Sequence, residues 1–422
     1  MAEISTRSAV IHPYATRGAS RRTPALALAE AEGLARALRL EVVQSAVVPL
    51  AKMVAGTLIG SGKIEMLKAE FEDNEIDLVI VDAPLSPVQQ RNLERAWQVK
   101  VLDRTGLILE IFADRAATRE GVLQVDLAQL TYQRSRLVRS WTHLERQRGA
   151  AGTVGGPGET QLESDRRAID DQIVKIKVQL AKVVKTRALH RAARKKVPYP
   201  IVALVGYTNA GKSSIFNRMT GADVLAKDML FATLDPTMRA INLPGGRRVI
   251  MSDTVGFVSD LPTQLVAAFR ATLEEVLDAD LIVHVRDISH PESDEQSMDV
   301  QDILRELGIE PEQSDRMVEV WNKLDLLDED GQLAAANTAE RTDGIVAMSA
   351  ITGQGVDALC ATIDAHLQEA VHNDVITLGY EAGQRRAWLF DRKLVQSETQ
   401  GERGYTLNVR WTERQKNQFE QV

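Results

Sequence analysis

IVALVGYTNAGKSS, residues 201–214, decides the fold of the larger part of this chain. The apolar run Ile201 to Val205 reads as a buried strand, and SSIFNRMT, from Ser213, reads as a helix. Between them stands Gly206-Tyr-Thr-Asn-Ala-Gly211-Lys212-Ser213. A glycine-rich turn from a strand into a helix N-terminus cradles phosphate. The backbone N–H groups of Gly206, Tyr207, Thr208, Asn209, Ala210 and Gly211 are free to curl around a β-phosphate. Lys212 neutralises β/γ charge, the Ser213 hydroxyl suits Mg2+, and Ser214 completes the loop.

Working outward, the runs IVALVG, RAINL, RRVIMSD, DLIVHVRD, MVEVWNK and GIVAMSA alternate with helical patterns from about 198 to 370. That order predicts a doubly wound sheet. Three further motifs fall at its strand ends. Asp253-Thr254-Val255-Gly256 follows RRVIM, so the carboxylate reaches a Mg2+-bound water and the Gly256 N–H faces a γ-phosphate. Asn322-Lys323-Leu-Asp325 follows MVEVW, and its last carboxylate accepts both the N1 and N2 protons of guanine, a donor pair that adenine lacks. Ser349-Ala350 offers a backbone N–H to guanine O6. Alone, each short motif is noise; in this order and at these strand ends they imply a GTP-binding, GTP-hydrolysing site.

Two details bear on turnover. Phe257 stands where Ras-like enzymes place the glutamine that orients water, which predicts slow intrinsic hydrolysis unless another group, such as one within 222–238, supplies the function. The Asn209 side chain suits either a K+ ion beside the phosphates or a simple turn.

The rest of the chain has a different texture. Residues 1–118 read as a small α/β domain, with helices over ALALAEAEGLARALRL and KIEMLKAEF and strands at EVVQSAVV and DLVIVDA. From 119 to 197 the apolar spacing becomes heptad-like, through Leu127, Leu130, Leu137, Trp141 and Leu144, then Leu162, Ile169, Ile173, Ile176, Leu180 and Val183. GAAGTVGGPG, residues 149–158, interrupts it with five glycines in ten residues, so an antiparallel helical hairpin with a glycine tip is expected. Residues 371–422, with strand-like WLFDRKLVQSE and YTLNVRW, read as a small α+β domain.

The 422 residues carry a net charge of −8, yet residues 131–200 hold 16 Lys+Arg against 6 Asp+Glu. This +10 segment suits either RNA phosphate or a solvated helix face. No apolar run is long enough to span a membrane and no leader pattern opens the chain, so a cytoplasmic location is expected, with a monomer as the default. Cys360, the single cysteine, sits in the apolar run ALCATI and reads as a buried small residue.

The stretches VKVLDRTGLILEIFADRAATREGVLQVDLAQLTYQRSRL (99–137), GGPGETQLESDRR (155–167) and LFATLDPT (230–237) resemble the HflX family of ribosome-associated GTPases, over about 55–365. The resemblance implies that Thr233 binds Mg2+ and γ-phosphate together with Ser213, beside Lys212 and Gly256. It also implies GTP-dependent binding to the large ribosomal subunit, stimulation of hydrolysis there, and splitting of stalled or stressed ribosomes. Arg134, Arg136, Arg139, Arg146 and Arg148, with Gly155, Gly156 and Gly158 of the tip, are then the expected RNA contacts. An RNA-remodelling NTPase and a signalling GTPase with a protein effector are the alternatives. Some members bind ATP through the N-terminal domain, but Gly56-Thr-Leu-Ile-Gly60-Ser-Gly62-Lys63 is no phosphate loop. Five residues separate Gly56 from Gly62, and Ile64 takes the hydroxyl position.

Overall fold

The computed structural model describes residues 6–16, 21–147, 157–194, 199–222, 230–231, 237–259, 276–310, 315–368, 371–401 and 403–420. The chain divides into two units, Met1–Cys360 and Ala361–Val422.

The first unit opens with β1 (Arg7–Ala15), α1 (Pro24–Ala37), β2 (Glu41–Leu50), α2 (Ser61–Asp73), β3 (Leu78–Val81), α3 (Pro87–Trp97), β4 (Lys100–Asp103) and α4 (Arg104–Arg115). The four strands are parallel in the order β2-β1-β3-β4. Alternation along the strands separates two apolar layers. Val10 and Ile80 face Leu34 of α1 and Leu107, Ile108 and Ile111 of α4. Ala9, Ile11, Val79 and Val81 face Leu67 and Phe71 of α2 and Leu93 and Trp97 of α3. β1 is a strand that the sequence reading passed over.

Two long helices follow, α5 (Arg119–Gln147) and α6 (Pro157–Arg194). Along α6, Ile173 is buried and Ile169, Ile176, Leu180 and Val183 are half-buried, while the residues between them are exposed except Asp170, which is half-buried, as the heptad spacing requires. Arg134 of α5 pairs with Asp170 of α6 at 3.2 Å. The base of α5 buries Leu123, Val125 and Ala128. Arg136, expected on RNA, is instead held within the protein, and this corrects the sequence reading. Its guanidinium pairs with Asp103 Oδ2 at 2.6 Å, donates to Gln90 Oε1 and Tyr132 Oη, and lies 4.3 Å over the Tyr132 ring. Arg148, Gly155 and Gly156 lie outside the described residues, as do the side chains of Arg139 and Arg146; Gly158 falls in α6.

The second sheet comprises β5 (Ile201–Gly206), β6 (Thr237–Asn242), β7 (Arg248–Asp253), β8 (Leu281–Asp287), β9 (Met317–Asn322) and β10 (Ile345–Ala347), in the order β10-β9-β8-β5-β7-β6. Only β6 runs antiparallel to its neighbour. The helices around it are α7 (Lys212–Thr220), α8 (Ser293–Glu306), α9 (Glu329–Arg341) and α10 (Val356–His366). β5 is the strand from which the chain builds first to one side and then to the other. Ligands of doubly wound sheets bind at the carboxyl ends of strands at such a point.

His284, in the middle of β8, is 1% exposed, and neither ring nitrogen has a hydrogen-bond partner among the described residues. Burial, with Arg286 and Lys212 nearby and only partly offset by Glu319, pushes its pKa down to about 4. The folded state therefore binds this proton less readily than the unfolded chain, whose histidine titrates near 6.5. The neutral ring's contribution is whole above about pH 6.5 and is lost as pH falls towards 4. By pH 5 the loss amounts to about 2 kcal/mol. Urea unfolding at pH 7 and pH 5 checks this: in His284→Leu the difference between the two should shrink by about that amount.

The second unit is a three-stranded antiparallel sheet, β11 (Val371–Leu378), β12 (Val395–Gly401) and β13 (Gly404–Thr412), in the order β11-β13-β12, with α11 (Gly383–Asp391) and α12 (Glu413–Glu420). The run WLFDRKLVQSE, read as strand, is helix up to Asp391. Three adjacent apolar residues cannot all face one side of a strand. On the helix they diverge: Leu389 is fully buried, Trp388 packs on Phe419 and Phe390 lies beneath Arg386. Lys393, at φ 55°, separates helix from strand.

Candidate nucleotide site

The loop between β5 and α7 is built on close approaches that exclude side chains. A Cβ on Gly206, whose φ is 152°, would lie 2.2 Å from the Val285 carbonyl oxygen of β8. One on Gly211, at φ 95°, would lie 2.1 Å from Asn322 Nδ2. Asn209 adopts φ 61° and is exposed, as either role read for it allows.

Lys212 begins α7 and points back under the loop. Its Nζ donates to the carbonyls of Gly206, at 3.1 Å, and Tyr207, at 2.8 Å. Burial lowers its pKa to about 8, against the opposing pull of Asp253. A phosphate beside it would favour the ammonium form and raise that pKa again. Ser213 Oγ donates to Asp253 Oδ2 at 2.7 Å, so the phosphate loop and the end of β7 meet at two hard oxygen donors. Thr254 is turned inward, its hydroxyl on the Leu204 carbonyl at 2.6 Å, and Val255 is buried. Gly256 passes so near the loop that a Cβ there would sit 2.9 Å from Thr208 Cα and 3.0 Å from Lys212 Nζ.

Phe257 is 2% exposed. Its N–H donates to the Gly206 carbonyl at 3.1 Å, and its carbonyl accepts from the Thr208 N–H at 2.7 Å. This residue laces the two phosphate-facing segments together through its backbone.

On the opposite flank, Asn322 ties three loops. Its Nδ2 donates to the Ala210 carbonyl at 2.8 Å, and its Oδ1 accepts from the Ala350 N–H at 3.0 Å. Lys323, at φ 66°, pairs through Nζ with Asp287 Oδ2 at 2.8 Å. Asp325 accepts from Ser349 Oγ at 2.5 Å. The predicted residues 206–214, 253–256, 322–325 and 349–350 thus converge on one edge of the sheet. Thr233 lies outside the described residues.

The chain matches, in order, families described as "GTP-binding GTPase N-terminal" over residues 26–113, "GTP-binding GTPase Middle Region" over 115–194, "50S ribosome-binding GTPase" over 201–323 and "HflX C-terminal domain" over 334–422. It is 52% identical to the GTPase HflX of Magnetococcus marinus, covering 84% of this chain and 79% of that protein. The chain belongs to the HflX family of GTPases. Against the GTPase HflX of Escherichia coli the identity is 43%, covering 83% of this chain and 82% of the relative. Among solved structures, that of SsGBP in complex with GDP is similar, with a TM-score of 0.50 and 25% identity over 85% of this chain and 98% of that one.

Like its relatives, this HflX chain is a GTPase. Sequence reasoning missed four residues around these loops: Asp287, paired with Lys323, Glu30 and Ser259, on the Tyr207 hydroxyl, and Arg104, on the Ser259 carbonyl. Asp287 ends β8 beside Asn322 of β9, so a carboxylate at a strand end was the available signal. Glu30 and Arg104 belong to the first sheet's helices, and no local pattern points from them to a loop at 207.

Proposed function

We propose that this HflX GTPase binds the large ribosomal subunit in its GTP state, inserts the α5–α6 hairpin into an RNA-lined channel and splits stalled or stressed ribosomes, with hydrolysis timing release. The observation that carries this reading is the hairpin itself. It presents Arg134, Arg166, Arg167, Lys175, Lys177 and Lys185 as exposed cations, which suits a phosphate-rich partner. Val174 and Val178, 60% and 52% exposed on the same helix, add an apolar strip that solvent alone does not favour. The match to a family described as ribosome-binding agrees with this. A protein effector without RNA gives no reason for a +10 segment, and a remodelling ATPase requires a second nucleotide loop that Gly56 to Lys63 does not provide.

In this reading guanine sits between Asn322, Lys323, Asp325, Ser349 and Ala350, and the phosphates lie over residues 206–214. Ser213, beside Asp253 and joined by Thr233, suits the hard oxygen shell of Mg2+, which would screen the β- and γ-phosphate charges. Lys212 and the Gly256 N–H face the γ-phosphate. With Phe257 buried in the position of the Ras-like glutamine, no glutamine orients the water from there. Turnover of the free protein is slow and rises on the ribosome, with K+ at Asn209 as a further source of positive charge. The protein acts as a cytoplasmic monomer.

The test is co-sedimentation with large subunits in GDP or a non-hydrolysable GTP analogue, using the intact chain and one with residues 149–158 replaced by a short linker. The intact chain should pellet with subunits only in the GTP-analogue state, and the tip variant should hydrolyse GTP yet split no ribosomes. Binding that ignores the nucleotide, or splitting that ignores the tip, would overturn the reading.

A further inference from the structure

Beyond the nucleotide contacts, a buried polar network joins the first sheet's helices to the two segments that face the γ-phosphate. Its centre is Ser259, three residues past Gly256 and 4% exposed. Each polar atom of Ser259 is held. Its N–H donates to Tyr207 Oη at 2.9 Å, its hydroxyl lies 2.7 Å from the same oxygen and 2.5 Å from Asp299 Oδ2, and its carbonyl accepts from Arg104 Nη2 at 2.8 Å. Tyr207 is the second residue of the phosphate loop, and its hydroxyl also donates to Glu30 of α1. Glu30 in turn accepts from the same Arg104 nitrogen at 2.6 Å and pairs with Arg22 at 3.1 Å. Arg104, at the first position of α4 and 4% exposed, is anchored from behind by Asp82 at 2.5 Å.

An apolar plug would fill this space at no desolvation cost, whereas buried charges must be paired to be tolerated. Here the pairing specifies geometry. One guanidinium reaches the segment after Gly256 directly and the phosphate loop through Glu30 and Tyr207. Behind them, Phe257 already ties those two segments by backbone hydrogen bonds.

We propose that Glu30 and Arg104 are positioning residues for GTP hydrolysis, holding Tyr207 and Ser259 so that the Gly256 N–H and the loop keep the spacing the γ-phosphate requires. The guanine is gripped from the other flank, by residues 322–325 and 349–350, and the backbone of residues 206–211, whose N–H groups face the β-phosphate, stays tied to Phe257 whichever side chain stands at 207. The network therefore acts on the rate of hydrolysis and leaves nucleotide affinity alone. With phenylalanine at 257 in place of the Ras-like glutamine, backbone placement carries more of the catalysis, and errors of about 1 Å cost up to about 100-fold.

The experiment uses the full chain without ribosomes. Tyr207→Phe removes one oxygen and keeps the ring; Glu30→Gln removes the charge and keeps the shape. Single-turnover hydrolysis at saturating GTP should fall about 10-fold in each. Affinity for a fluorescently labelled GDP should stay within about twofold of the parent. The double variant should be no slower than the slower single one, because both break the same linkage. Arg104→Lys, which keeps a cation beside Asp82 but cannot span Glu30 and the Ser259 carbonyl, should show the same split, and Tyr207→Phe keeps the test decisive if that variant fails to fold. Unchanged or faster hydrolysis in Tyr207→Phe, a parallel loss of GDP affinity, or additive effects in the double variant would each overturn the assignment.

Discussion

Gly256→Ala is expected to bind GDP as the parent does while hydrolysing GTP on the order of 10²- to 10³-fold more slowly, the usual cost of losing one donor aimed at developing charge. The added methyl would stand 2.9 Å from both Thr208 Cα and Thr208 Cγ2, and 3.0 Å from Lys212 Nζ. The lysine tip can swing aside, but the Thr208 backbone is fixed by its hydrogen bond to Phe257, so the Gly256 segment has to retreat. Its N–H then moves away from the γ-phosphate, a group that GDP lacks. Gly206→Ala provides the contrast. Its methyl would strike the Val285 carbonyl oxygen from a backbone at φ 152°, deforming the root of the loop on which every phosphate depends. That variant should lose GDP and GTP together. Titration with labelled GDP beside single-turnover hydrolysis separates the two cases. Equal losses in both assays for Gly256→Ala would show that the crowding damages the whole loop and not the γ-phosphate contact.

The grouping of these motifs on one sheet edge was legible in the sequence because its parts are local. Each motif lies at the carboxyl end of a mostly apolar strand, such as Ile201–Gly206 or Met317–Asn322, and parallel strands place those ends on one edge. The hairpin was legible for a similar reason, since a seven-residue period states its own partner. What the sequence concealed depends on distance along the chain or on a single neighbour. β1 contains Pro13, which reads as a break. Yet the pairing of β1 with β3 stops at Ile11, so Pro13 has a neighbour on one side only, where a missing N–H is tolerated. Arg136 looked like one more cation on a basic helix, and only the fold brings Asp103 and Tyr132 against it. Glu30 and Arg104 look like ordinary helix charges, because Tyr207 and Ser259 lie more than 150 residues further on.

Guanine selection provides the other large effect. Asp325→Asn should reduce affinity for GTP by about 10²- to 10³-fold and make XTP the preferred nucleotide, a reversal that follows from which atoms each partner donates. In the proposed pose the carboxylate accepts the N1 and N2 protons of guanine, whereas an asparagine in its place offers one acceptor and one donor. The orientation of that amide is already decided. Ser349 Oγ accepts from the Thr352 N–H at 3.1 Å, so its own proton goes to Asp325 Oδ1, at 2.5 Å. In the variant this hydroxyl holds the amide carbonyl and leaves the NH2 group facing the base. There it opposes the N2 amine of guanine, donor against donor, but meets the C2 carbonyl of xanthine as a partner. The phosphate contacts are untouched, so the triphosphate still binds when the base agrees. Competition of GTP, ITP and XTP against labelled GDP on the parent, and against labelled XDP on the variant, reads the change. ITP, which lacks the N2 amine, should lie below GTP on the parent and above it on the variant. A variant that loses all three nucleotides alike would mean that Asp325 holds the loop between β9 and α9 together and does not read the base.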